Sequence, residues 1–195
     1  RLVFVPFGSP PIDAKAILAA HERYQAACGE VLAAHLVARY PGAQVVVLTD
    51  PNASSDAGSQ ALLDKLDDGL KQGGLSVTRK TVEIPESAEA LLTLPDDPTL
   101  TPEMKSEYER MMRSDTSMWF DAAALNDIVV GLRDQADVVI STVSLVQPLE
   151  PASLPSKGQG PALVLFDAYV PDMDSLLQEL FDRTALDTLV NYRAD

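Results

Sequence analysis

Cysteine is nearly missing from this chain. Cys28 stands alone, so neither an intrachain disulfide nor a thiolate metal cluster can form. It lies among Ala26, Ala27 and Gly29 in a helical run and reads as a small buried apolar residue rather than a reactive thiol. Histidine is almost as sparse. His21 and His35 lack the HExxH spacing of a helix-borne zinc site, and read as helix-surface or helix-packing residues. Positive charge is scarce too: 15 basic residues face 29 acidic ones, for a net charge of −14. Such a balance repels phosphate backbones and argues against nucleic-acid or anionic-membrane binding. Its simplest meaning is a solvated acidic surface; a cationic partner is the sharper alternative. No apolar run approaches the roughly 20 residues of a membrane helix, so no membrane insertion is expected.

Catalytic signatures are also lacking. There is no Gly-x-Ser-x-Gly elbow, and neither histidine falls late in the chain, where an α/β-hydrolase needs one. There is no GxGxxG dinucleotide fingerprint. Gly8-Ser9-Pro10-Pro11 is not a phosphate-binding loop: it lacks spaced glycines and a Lys-Ser/Thr pair, and its prolines remove amide donors. It reads as a turn, with ligand contact as the alternative. No cofactor or metal is expected, and the sequence leans away from an enzyme. The chain begins at Arg1 rather than methionine, which is compatible with a processed product.

What is present is an alternation of strands and helices. Gln44-Val-Val-Val-Leu-Thr-Asp50 carries four consecutive apolar residues, mostly β-branched, as a strand buried on both faces does. A polar loop, Pro51 to Asp56, follows it. Leu62, Leu63, Leu66 and Leu70 then recur at helical spacing until Gly73-Gly74, and Ser76 to Ile84 reads as a strand nearer an edge. This is one βαβ unit. Asp64, Asp67 and Asp68 are assigned to the solvated face of its helix.

Upstream, Leu2 to Phe7 reads as a first strand. Ile12 to Tyr40 reads as a helix with Ile17, Tyr24, Ala27, Val31, Leu32 and Leu36 in the apolar pattern, and with a break or bend near Ala20 to Arg23. Downstream, residues 86–118 depart from the rhythm and read as an acidic, Pro- and Met-containing insertion. Thr101-Pro102-Glu103 starts a short helix there. Met104, Met111, Met112 and Met118 suit an adaptable apolar contact. Ser117 or a neighbour is expected to cap a helix from Trp119 to Asp134, with Trp119 as a packing residue. Asp137 to Ser144 and Pro161 to Asp167 are further buried strands, separated by a Gln147–Gly160 loop. A helix begins at Pro171-Asp172, and Leu186 to Tyr192 reads as a terminal strand.

The alternation predicts one α/β domain over 1–195: a three-layer α/β/α sandwich on a mainly parallel, Rossmann-like or flavodoxin-like sheet. In such sheets ligands bind beyond the carboxyl ends of the strands. Asp50, Asn52, Ser54, Ser55, Thr142, Ser144, Asp167 and Tyr169 fall there by topology. Their amide, hydroxyl and carboxylate groups suit a small polar ligand, sugar-like or amine-bearing. Convergence of Asp50, Asp56 and Asp167 on a hard cation is the weaker reading, since Asp and Ser after strands ordinarily cap the next helix.

The order of segments resembles a lobe of the type I periplasmic-binding-protein superfamily, which includes sugar-binding proteins and LacI-type effector domains. Tyr24-Gln-Ala-Ala-Cys-Gly29 through Ala34 is similar to a lobe-opening helix. Val45-Val-Val-Leu48 with its Ser/Asn-rich loop, and Gly73-Gly74-Leu75-Ser-Val77, are similar to the family's strand, loop and closing segment. Ala136-Asp137-Val-Val-Ile140 resembles its "ADAV" strand, Leu163-Val-Leu-Phe-Asp167 its "VVGFD" strand, and Leu186-Asp-Thr-Leu-Val190 its late "I-x-A-T-V" segment. The resemblance implies solute capture in a cleft outside the cytoplasm, with Asn52, Ser54 and Asp167 as carried-over ligand residues. It departs from the family in supplying one lobe where a full binding protein has two, and in residues 86–118 and 147–160. A partner lobe or a homodimer would complete it. Two other readings stand beside it: a hydrolase or transferase using Asp50 or Asp167, and an interaction module docking through the Met-containing insertion.

Overall fold

The computed structural model describes residues 14–89, 92–94, 99–145, 150–166 and 174–190. The expected first strand at Leu2 to Phe7 and the turn after it lie outside the described residues.

Helix α1 (Ala14–Arg39) leads into strand β1 (Gln44–Thr49), helix α2 (Ala57–Gln72) and strand β2 (Ser76–Thr81). A short helix α3 (Glu86–Glu89), helix α4 (Pro102–Ser114) and helix α5 (Ala122–Gly131) follow. Strands β3 (Val138–Ser141) and β4 (Ala162–Phe166), helix α6 (Asp174–Arg183) and strand β5 (Leu186–Val190) complete the described chain. All the strand pairings are parallel and the order is β2-β1-β3-β4-β5. This is the doubly wound, flavodoxin-like order, in which the chain reverses direction across the sheet between β1 and β3.

The two faces of the sheet are covered differently. Val45 and Val47 of β1, Val138 and Ile140 of β3 and Val164 of β4 point to the α1–α2 side. Val46, Leu48, Val139, Leu163 and Leu165 point to the other, where Trp119, Leu125, Val129 and Leu180 cover them. Strands buried on both faces read as continuous apolar runs, which is why β1, β3 and β4 stand out in the sequence. β2 is mostly exposed and, among the described residues, pairs only with β1.

Helix α1 continues unbroken through residues 20–23. Ala19-Ala20-His21-Glu22-Arg23 holds no proline or glycine, and alanine is the strongest helix former, so length alone forces no bend. Its buried residues, Gly29, Leu32, Ala33 and Leu36, all lie in the C-terminal half. Of the apolar residues assigned inward, Ile17, Tyr24 and Val31 are 56%, 42% and 71% exposed, and Cys28 is half-buried. Helix α2 explains the choice, because it meets α1 where small residues allow close approach. A Cβ on Gly29 would lie 2.5 Å from the Leu62 carbonyl oxygen, and one on Gly69 would lie 2.6 Å from Ala33 Cβ.

Further corrections concern polar groups. Asp67 is buried rather than solvated: Arg79 Nε donates to its Oδ2 at 3.0 Å and Lys71 Nζ at 3.3 Å. The edge strand β2 places Arg79 beside α2, and that pairing draws the carboxylate in. Asp121, not Ser117, caps α5, accepting from Ala124 N at 2.8 Å. Ser117 belongs to a 3-10 turn, Thr116–Met118, capped by Asp115. Trp119 packs as expected: it is 5% exposed, its ring meets Phe120 edge-on at 6.2 Å, and its Nε1 donates to Arg113 O at 3.2 Å.

Candidate site at the carboxyl ends of β1 and β3

The reversal of strand order leaves the loops after β1 and β3 diverging to opposite faces, which is where ligand crevices open in this architecture. The β1 loop is built by short-range hydrogen bonds. Asp50 Oδ1 accepts from Asn52 N at 2.6 Å, an Asx-type turn. Asn52 O accepts from both Ser55 N and Ser55 Oγ at 2.8 Å, which closes a 3-10 turn over Ala53–Ser55. Ser54 is exposed, and its carbonyl accepts from the Gln60 side chain. Asp56 then caps α2, accepting from Ser59 N at 2.6 Å. Hydrogen bonding from Ser59 holds its carboxyl below the usual range. Asp56 is therefore a helix cap. Among the described residues no three His, Cys, Asp or Glu side chains are grouped to hold a metal ion.

The β3 end is tied to the β1 end. Thr142 donates to Leu48 O through both its amide, at 3.1 Å, and its Oγ1, at 2.9 Å. Ser141 is fully buried and Ser144 exposed. Asp50, Asn52, Ser54 and Ser55 thus lie on the loop following one strand, and Thr142 and Ser144 follow its neighbour. Asp167 and Tyr169 lie outside the described residues.

Two participants had no signal in the sequence. Thr116 Oγ1 donates to Asp50 Oδ2 at 2.7 Å, and Asn52 Nδ2 donates to Ser114 O at 2.6 Å. Both partners come from the C-terminal end of the 86–118 insertion, more than sixty positions along the chain. The insertion is therefore anchored on the candidate site. Its Asp115-Thr116-Ser117 run announces a local turn, but nothing in that run names Asp50 or Asn52 as its target.

The histidines lie elsewhere. The His21 ring packs where a Cβ on Gly58 would stand, and His35 Nε2 lies 3.3 Å from Thr188 Oγ1. Beside His35 an apolar groove of about 360 Å³ runs between α1 and β5, lined by Tyr24, Ala27, Cys28, Val31, Thr188 and Val190. At the other end of β5, Arg39 Nη2 donates to Asp187 Oδ1 at 2.5 Å. Burial pushes the Asp187 carboxyl up, but hydrogen bonds from Arg39, Tyr40 and Thr188 together hold it below the usual range. No family model, curated protein or solved structure matches the chain.

Proposed function

We propose that this chain is a non-enzymatic binding lobe for a small polar solute, sugar-like or amine-bearing, held at the carboxyl ends of β1 and β3. One observation carries the reading: the strand-order reversal falls between the two strands followed by Asp50-Pro-Asn-Ala-Ser-Ser55 and by Thr142-Val-Ser144. Carboxylate, amide and hydroxyl groups are the chemistry that recognises neutral polyols and amines, and the net charge of −14 disfavours anions. The segment resemblance to type I binding-protein lobes supports the same reading. It adds an extracytoplasmic setting and a second lobe, or a second copy, as the closing half of the cleft.

A thermal-shift screen of the purified chain against neutral sugars, amino acids, nucleotides and divalent ions tests this. A solute that binds only the native state at a hundred times its Kd stabilises by about 2.7 kcal/mol. The melting temperature is expected to rise with a sugar or an amine, and the rise to vanish in Asn52→Ala and Asp167→Ala. A rise only with a nucleotide or a divalent ion points instead to the enzyme reading, and no rise with any of them rejects the proposal.

The interaction-module reading has one observation in its favour. Met104, Tyr108 and Met111 stand outward along one stripe of α4, each between 46% and 56% exposed, with Met118 exposed beyond them. Native mass spectrometry of the wild type and of Tyr108→Lys/Met111→Lys separates the two: association abolished by the charges supports the module, and a monomer in both rejects it for self-association.

A further inference from the structure

We propose that α4 is a flap latched to the β1 loop by Asp50 and Asn52, and that a ligand drawing on the same carboxylate oxygen and amide N–H competes with the latch. The inference rests on the binding reading above for its ligand, but the latch itself is a property of the free protein.

The first observation is how α4 is held. It contains no buried residue. Of its apolar side chains only Met112 packs against the core, while Met104, Tyr108 and Met111 face solvent. Polar ties add to that one apolar contact. Leu94 N donates to Glu109 Oε1 at 3.1 Å, and Arg113 donates to both carboxylate oxygens of Glu89, at 3.1 and 2.6 Å. Trp119 Nε1 donates to Arg113 O just beyond, where the chain re-enters the core. A helix with little apolar burial and exposed polar ties belongs to the least stable part of a domain and opens without global unfolding.

The second observation is what the latch uses. Asp50 Oδ1 is taken by Asn52 N, Asp50 Oδ2 by Thr116 Oγ1, and the Asn52 amide nitrogen by Ser114 O. The carboxylate and the amide best placed to meet a polar solute are thus already engaged with the insertion. Asp50 Oδ2 keeps a second lone pair and Asn52 Nδ2 a second N–H, but a solute that draws on the one now held competes with Thr116 or Ser114. The exchange is a competition, so apparent affinity is lowered by the fraction of molecules whose latch is closed. Thr116 is the residue that separates the two roles, because it serves the latch from outside the binding set.

Hydrogen exchange of the free protein, read by mass spectrometry, tests the latch with no solute present. Thr116→Val removes the hydroxyl and keeps the shape. Exchange across residues 102–114 is expected to rise about fivefold, the effect of one net hydrogen bond. Exchange in β1 and β3 should stay at the wild-type rate. Thr116→Ser, which keeps the hydroxyl, should restore protection of α4. Unchanged exchange in α4, or a rise shared equally by the strands, overturns the proposal. Such a failure leaves the solute-binding reading standing, and a blank solute screen leaves the latch standing, so the two are judged separately.

Discussion

Helices α1 and α4 are attached to the same sheet by opposite means. The C-terminal half of α1 is knitted to α2 by burial. Leu32, Leu36, Leu63, Leu66 and Leu70 are at most 4% exposed, and Gly29 and Gly69 let the helices meet at backbone distance. α4 turns Met104, Tyr108 and Met111 outward, packs Met112 inward, and otherwise holds on through Glu109, Arg113 and the Asp50–Asn52 latch. Apolar burial yields about 25 cal/mol per Å² and has no directional requirement, so the α1–α2 layer is a fixed platform. Hydrogen bonds that replace water contacts are each worth only about 1 kcal/mol net and need exact geometry, so α4 is held reversibly. A ligand can substitute for a hydrogen-bond partner, but not for a packed leucine.

The comparison can be broken most severely from the platform side. Leu66→Ala removes a fully buried side chain and should cost about 2–5 kcal/mol, seen as a lowered midpoint of one cooperative denaturant transition. Next, Gly29→Ala places a Cβ against the Leu62 carbonyl, and the helices must separate or shift. A loss of about 1–3 kcal/mol is expected even though alanine is the better helix former. A gain in stability would show that the close approach is not fixed.

Smaller effects belong to caps and polar ties. Asp56→Ala removes the α2 cap at a cost of about 1 kcal/mol. The folded-state pKa of Asp56 is depressed, so its contribution is present above the ordinary carboxyl value and is lost as pH falls through the lowered one. The wild-type and Asp56→Ala stabilities should therefore converge in acid, and a constant difference down to the lowest pH would contradict the assignment. Glu89 is the smallest lever. The Arg113 hydrogen bond holds it below its ordinary 4.5, with the same sign: the tie's contribution is present above that value and is lost as pH falls through the lowered one. Because Glu89 and Arg113 are exposed and screened, Glu89→Gln should leave the global midpoint unchanged while speeding exchange in α4. A fall in the global midpoint would mean that α4 is part of the cooperative core.

The same contrast explains what was legible in the sequence. β1, β3 and β4 are short apolar runs because both their faces are buried, and α2 shows its leucines at helical spacing. Thr101-Pro102 marks the start of α4 from local chemistry, with Thr101 Oγ1 accepting from Met104 N. These signals are local or periodic. The apolar pattern of α1 misled because helical spacing gives a face but not what covers it, and Tyr24 and Val31 lie outside the contact with α2. Asp67 misled because its partner Arg79 sits on another element. At the candidate site, strand periodicity is enough to place Asp50 and Asn52 after β1 and Thr142 and Ser144 after β3. The bonds to Ser114 and Thr116 carry no period and span more than sixty residues, so only the folded chain reveals them.

The location of the site is the central claim, and a hydrogen-exchange footprint tests it most directly. The wild-type chain would be measured with and without a pooled set of neutral sugars and amines at millimolar concentration. Slower exchange at residues 50–56 and 142–145, with faster exchange across α4 as the latch is released, is the expected result. Protection confined to the α1–β5 groove around Tyr24, Val31 and Thr188, or no change anywhere, would contradict it.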